Sequence, residues 1–263
     1  MDKIILENDY QPTAIINTHS HADHCGGNHF FQKKYPDIQI YATRFETHFI
    51  EDPFLEPLCF CLGALPFQEL RNKFLEAKPS KVTNVLKYED HTLDIGGQSF
   101  TVVTLPGHTQ GMIGIISPDQ VLYVGDAIFG EETLEKHGIL FYTNIAKTKD
   151  SLEKLERLNV NSYVLYHGGE RLSLSELIEE HLKMIEKTKD FILEQIVEHS
   201  TSLDFLVQQV MSQFNIANNV IQHTLTSAVV RSYITELQQS GQVILVVDNG
   251  LLQIRHSSQT IEP

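Results

Sequence analysis

The chain has no tryptophan and only three cysteines and four methionines among 263 residues. An odd, sparse set of cysteines in a chain this long does not make a disulfide framework, so reduced thiols are expected. Cys59 and Cys61 form a Cys-x-Cys pair with no second cluster, which argues against a zinc knuckle. Cys25 follows His24 directly; thiolate ligation is conceivable there, but a small buried side chain suits a helix start better. Basic residues are also short, 20 against 34 acidic ones, for a formal net charge of −14. Such a balance argues against a polyanionic partner, because affinity for nucleic acid comes largely from Lys and Arg neutralising phosphates. No window approaches the length of a membrane span, and Met1–Glu7 carries neither a long apolar stretch nor a cleavage signal. A cytoplasmic protein is therefore expected, with one large domain and room for a small second one.

What the chain does have is histidine in a telling place. Thr18-His19-Ser20-His21-Ala22-Asp23-His24 puts three imidazoles and a carboxylate into six positions, just after the apolar pair Ile15-Ile16. Cations such as Zn²⁺ take imidazole nitrogen and carboxylate oxygen together. If Ala14–Ile16 ends a strand, alternate residues of the following extended segment share a side, so His19 and His21 are placed to grip one ion. Asp23 and His24, where the chain turns into a helix at Gly26-Gly27-Asn28, would aim at a neighbouring position. Three further groups follow short apolar runs: His108 in Pro106-Gly107-His108-Thr109, Asp126 after Gly125, and His167 before Gly168-Gly169. Asp126 offers a carboxylate suited to bridging two ions. Alone, His108 would read as a turn residue, His167 as a helix-end histidine and Asp126 as a cap. Their joint placement after β-like runs defeats that reading. His29, His48, His91, His137, His181, His199, His223 and His256 lack such company and are read as ordinary structural or surface histidines.

The pattern resembles the metallo-β-lactamase superfamily, whose signatures occur in order as Thr-His-Ser-His-Ala-Asp-His, Pro-Gly-His-Thr, Gly-Asp and His-Gly, over residues 14 to about 185. The resemblance implies His19, His21 and His108 on a first metal, Asp23, His24 and His167 on a second, and Asp126 bridging. It also implies the αββα sandwich. Members place several strands before the first histidine motif, whereas 18 residues precede His19 here. The first sheet is therefore expected to lack its opening strands, through a truncated reading frame or because another subunit covers the edge.

Pattern and turn signals predict strands near 13–17, 38–42, 83–88, 99–105, 112–117, 120–124, 139–142 and 162–166. Helices are predicted over 26–34 and 43–51, from a capping-box-like start at Asp150 to 158, and from Ser173 to about Glu198. The proline-rich, apolar segment 52–80 interrupts the strands and is read as a lid or an interface. Beyond residue 200, apolar positions recur at helical spacing to Gly241, and Val243–Val247 and Leu251–Ile254 flank an Asn249-Gly250 hairpin signal. Helices followed by a hairpin resemble a winged-helix domain. This divides the chain into a metal-hydrolase domain, 1–198, and a winged-helix-like domain, 199–263. That part contains only Arg231 and Arg255 as basic residues against Asp204, Glu236, Asp248 and Glu262, the reverse of a phosphate-binding charge balance.

The expected activity is metal-dependent hydrolysis, in which a metal-bridged hydroxide attacks an ester, thioester or lactone and Asp23 orients the water or passes its proton. Two zinc ions per chain are expected, with Fe or Mn tolerated by the same ligands. The first signature, Pro-Gly-His-Thr-x-Gly and Gly-Asp-x-x-Phe129 look like the glyoxalase II-like branch, which implies thioesters as one option. Alternatives are a phosphodiesterase or endoribonuclease of the same fold, iron-based oxidation, and a metal-binding assembly protein without catalysis. The partners expected are a small-molecule substrate and a second copy of the chain; nucleic acid and membrane are not expected.

Overall fold

Parallel pairing requires a crossover between strands, and the first part of the chain supplies one each time. The computed structural model describes residues 2–197 and 200–258, so His199 and the predicted helix end at Glu198 lie outside the described residues. The chain divides into two compact units, Met1–Thr104 with Gly111–Gly125, and Leu105–Gln110 with Asp126–Pro263.

In the first unit, α1 (Asp2–Glu7) precedes β1 (Ala14–Ile16), and α2 (Ala22–Cys25) and α3 (Asn28–Lys34) cross over to β2 (Gln39–Thr43). The helix predicted over 26–34 is thus two, parted at Gly26-Gly27. Next come α4 (Arg44–Glu51), α5 (Leu55–Phe60), a 3-10 turn at Gln68–Leu70 and β3 (Asn84–Leu86). β1, β2 and β3 form a parallel three-stranded sheet, with Ile15 opposite Ile40 and Ala42 opposite Val85. Among the described residues no strand precedes β1 in it. β4 (His91–Ile95), β5 (Gln98–Thr104), β6 (Ile113–Ile116) and β7 (Val121–Tyr123) follow as an antiparallel meander. Strand β4 was not expected, although His91, Leu93 and Ile95 alternate with exposed Thr92 and Asp94 as a half-buried strand should.

Two apolar clusters make this unit layered. Cys25, Ile38, Ile40, Ala42, Ile50 and Val82 bury one face of the parallel sheet under its helices. Leu86, Val102, Ile113 and Ile115, with Ile16, Tyr41, Leu93 and Phe100, bury its other face against the meander. Helices, sheet and sheet thus stack in that order.

The second unit contains α6 (Glu131–Lys136), α7 (Ile145–Arg157), β8 (Ser162–Leu165), β9 (Gly169–Arg171), α8 (Ser175–Val197), β10 (Thr201–Ser202), α9 (Leu203–Gln213), α10 (Val220–Gln239), β11 (Val243–Asp248) and β12 (Leu251–His256). Two expectations fail here. Residues 139–142 form no strand; Leu140 and Tyr142 are buried in a loop, so their apolar alternation reflects burial without a ladder. Helix α7 starts at Ile145, not near Asp150, because the Asn144 side chain accepts the Lys147 N–H at 3.1 Å and caps the first turn. Asp150 lies inside the helix and pairs with Lys147 at 3.0 Å.

The C-terminal hairpin forms as expected. β11 and β12 pair with Asp248 opposite Leu251, and Asn249 and Gly250 both take positive φ, 49° and 79°, the two-residue turn that matches strand twist. β10 adds antiparallel to β12. Helix α10 is tied to α7 and α8 by Lys149, whose Nζ sits 2.7 Å from both Glu186 and Glu236, and by Ser232, whose Oγ accepts the Ile145 N–H at 3.0 Å.

Candidate metal centre

The first four candidate ligands lie on the turn after β1, and backbone hydrogen bonds fix where that turn runs. The Asn17 N–H donates to Tyr41 O at 2.9 Å and the Thr18 carbonyl accepts from Ile113 at 3.0 Å. Asn28 donates from its amide to Asn17 Oδ1 at 3.0 Å. His21 caps α2, its carbonyl accepting both the His24 and the Cys25 N–H at 3.0 Å, so one helical turn folds Asp23 and His24 back beside the strand end. The His19 ring lies 4.7 Å from that of His21 and 4.0 Å from that of His24, centre to centre. His19 is fully buried, whereas the Asp23 side chain is half exposed, 3.6 Å from His24 Nε2.

Two acidic residues that sequence reasoning missed support this turn. Glu46, on the inward face of α4 and fully buried, accepts the Ser20 N–H at 2.8 Å through one oxygen and the Gly111 N–H at 3.0 Å through the other. Glu56, on α5, places Oε1 3.7 Å from His21 Nε2. Burial, and then the charges of Glu46, Asp23 and Glu76, push the Glu56 carboxyl up to about 8. The irregular segment 52–80 therefore borders the histidine motif. Cys25 takes no part as a ligand: its thiol donates to Ser20 O at 3.0 Å, and burial with the nearby Glu56 charge pushes it up to about 12.

His108, Asp126 and His167 come together in the second unit. His108 Nε2 and His167 Nε2 lie 3.5 and 3.7 Å from the same Asp126 oxygen, Oδ2. Two donors on one tetrahedral zinc lie roughly 3.4 Å apart, given Zn–N and Zn–O distances of about 2.0–2.2 Å, so these spacings fit ligands shared by a cation. The other nitrogen of His108, Nδ1, lies 2.7 Å from the Phe141 carbonyl. A carbonyl can only accept, so Nδ1 carries a proton, which leaves Nε2, the nitrogen facing Asp126, as the one available to a metal.

The loop bearing His108 needs glycine before it. Gly107 has φ +142°, and a Cβ there would come within 2.3 Å of Thr148 Oγ1 and 2.7 Å of its Cα. Its carbonyl accepts from Thr143 and Asn144 at 2.8 and 3.0 Å, which seats the loop on the start of α7. His181, read from sequence as an ordinary histidine, is fully buried and structural. Nε2 accepts the Phe129 N–H at 3.0 Å, Nδ1 faces Leu177 O at 2.7 Å, and burial pushes its pKa down to about 4. It thus holds, as a neutral ring, the segment three residues beyond Asp126.

The chain belongs to the metallo-β-lactamase superfamily, whose sequence model matches residues 3–167. It is 28% identical over 156 residues to the hydroxyacylglutathione hydrolase of Erwinia tasmaniensis, a match covering 59% of this chain and 47% of that protein. It is 31% identical over 151 residues to the hydroxyacylglutathione hydrolase of Crocosphaera subtropica, covering 55% and 46%. The chain spans about half the length of the curated relatives it matches. Among solved structures, a β-lactamase domain protein from Burkholderia ambifaria is similar with TM-score 0.72 and 16% identity, over 97% of this chain and 78% of that one. A metallo-β-lactamase family protein from Thermus thermophilus is similar with TM-score 0.69 and 17% identity, over 93% and 80%. The mixed α/β fold is that of the superfamily.

Proposed function

We propose that the chain is a metal-dependent hydrolase of small acyl substrates, thioesters foremost, that uses two metal ions. On the family's pattern His19, His21 and His108 would hold a first ion, Asp23, His24 and His167 a second, and Asp126 would serve as the shared ligand. The observation that carries it is the pair of imidazoles on one Asp126 oxygen, at spacings suited to shared ligation. Zinc, once bound, supplies a water acidified to near neutrality and a Lewis acid for the scissile carbonyl. The protein's own groups do the rest. The Phe141 carbonyl fixes a proton on His108 Nδ1, Glu46 fixes the first histidine turn, and the half-exposed Asp23, where its carboxylate is not wholly taken up as a ligand, orients the water or passes its proton. The two relatives named hydroxyacylglutathione hydrolase support thioesters as the substrate class.

We assign residues 1–198 to the hydrolase part and 199–263 to a winged-helix-like part. Helices α9 and α10 followed by the β11–β12 hairpin support that assignment. Nucleic-acid cleavage is disfavoured, since Arg255 in this part lies 3.4 Å from Asp248 rather than standing alone for a phosphate.

Elemental mass spectrometry on protein prepared without chelators, paired with turnover of a thioester and a phosphodiester dye, tests the reading. About two zinc ions per chain with thioester turnover is the expected result. Metal with phosphodiester turnover alone would transfer the assignment to a nuclease. Soluble protein that binds no metal would end it.

A further inference from the structure

A cavity of about 660 Å³ lies within the second unit, and its wall begins at two of the proposed ligands, His108 and His167. Ile139, Leu140 and Phe141 continue the wall, and Phe214, just past α9, closes it together with Leu225 and Val229 on α10. The volume is that of a small-molecule pocket, and nine of its nineteen lining residues are aliphatic or aromatic, with the polar ones including the two histidines at its reactive end. Among the described residues that line it, Lys136 is the single lysine or arginine, and Glu132 lines the same wall.

We propose that this cavity is an acyl pocket that takes an apolar group of roughly six to ten carbons or an aromatic equivalent, so that medium-chain or arylalkanoyl thioesters and esters are the preferred substrates. The choice of the acyl half follows from charge. Soluble thiol carriers bear several carboxylates or phosphates, which call for clustered Arg and Lys. One lysine sharing its wall with a glutamate does not provide that, whereas an alkyl chain gains from every methylene placed on this lining. The C-terminal helices thereby acquire a role in the chemistry, since they close the far end of the pocket.

The proposal rests on the hydrolase reading for which end of the cavity is reactive, and one experiment separates the two. Butanoate, hexanoate and octanoate are titrated calorimetrically into the zinc-loaded full chain, into L225W and into I216W, with circular dichroism as the check on folding. Acetyl and octanoyl thioester turnover is followed in parallel. Affinity should rise about fourfold per methylene, from about 0.8 kcal/mol each. Either tryptophan that folds should bring octanoate down to the affinity of butanoate. Flat affinity across the series overturns the pocket even if acetyl thioester is hydrolysed, which leaves the hydrolase reading intact. Octanethiol bound by chain length while the carboxylates are not would place the leaving group there and also overturn it. Chain-length dependence without turnover of either thioester supports the pocket and removes the hydrolase reading.

Discussion

The Glu46 carboxylate receives the Ser20 amide at 2.8 Å, and Ser20 stands between His19 and His21, so a side chain on α4 sets the spacing of two proposed ligands. Its other oxygen holds Gly111 at 3.0 Å. In E46Q one of the two amides would meet an NH₂ group. We expect a loss of roughly 2–3 kcal/mol in urea unfolding, typical of a buried charge-assisted bond left unmade. Metal affinity should fall by about 10–100-fold, as for other groups that orient ligands. Unchanged values in both measurements would show that the turn holds without Glu46.

Metal release tests the ligand sets directly. H21A and D126A should each lose metal and all measurable turnover. Full metal content in both variants, by elemental mass spectrometry, would sink the ligand assignment.

His181 makes stability depend on acid. Burial depresses its folded pKa to about 4 from an ordinary 6.5, so the unfolded chain binds its proton first as pH falls. The contribution is therefore complete above pH 6.5 and lost as pH drops toward 4. Urea midpoints measured across that window should decline in the native protein, with up to roughly 3 kcal/mol at stake. In H181Q the part of the slope due to this ring should vanish. An identical slope in both proteins would assign the acid sensitivity to other groups.

Gly107→Ala should be costly. The residue occupies φ +142° and its new methyl would meet the Thr148 backbone at 2.7 Å, so neither conformation nor space accommodates it. We expect a loss of at least about 2 kcal/mol in thermal or urea unfolding. A loss below about 0.5 kcal/mol would mean that the His108 loop can reseat on α7.

The histidine motifs were legible because their chemistry is dense: three imidazoles and a carboxylate in six residues have few structural uses. The strands flanking them were legible because each is a short apolar run. β4 escaped because histidine, threonine and aspartate fill three of its five positions and hide a regular alternation. The stretch 139–142 misled in the opposite sense, since burial of a loop imprints the same apolar pattern as a ladder. Glu46 and Glu56 were invisible for a common reason. A lone polar residue on a helix reads as solvent-facing until the fold shows what it covers.

The loop 139–142 serves two ends at once: its Phe141 carbonyl sets the His108 tautomer, and its side chains line the cavity. Substitutions there that alter which substrate fits would disturb metal retention too. The wall made by residues 214–217 and α10 carries no proposed ligand, so it is the part of the chain on which selection can broaden or narrow substrate range while leaving the catalytic ions in place.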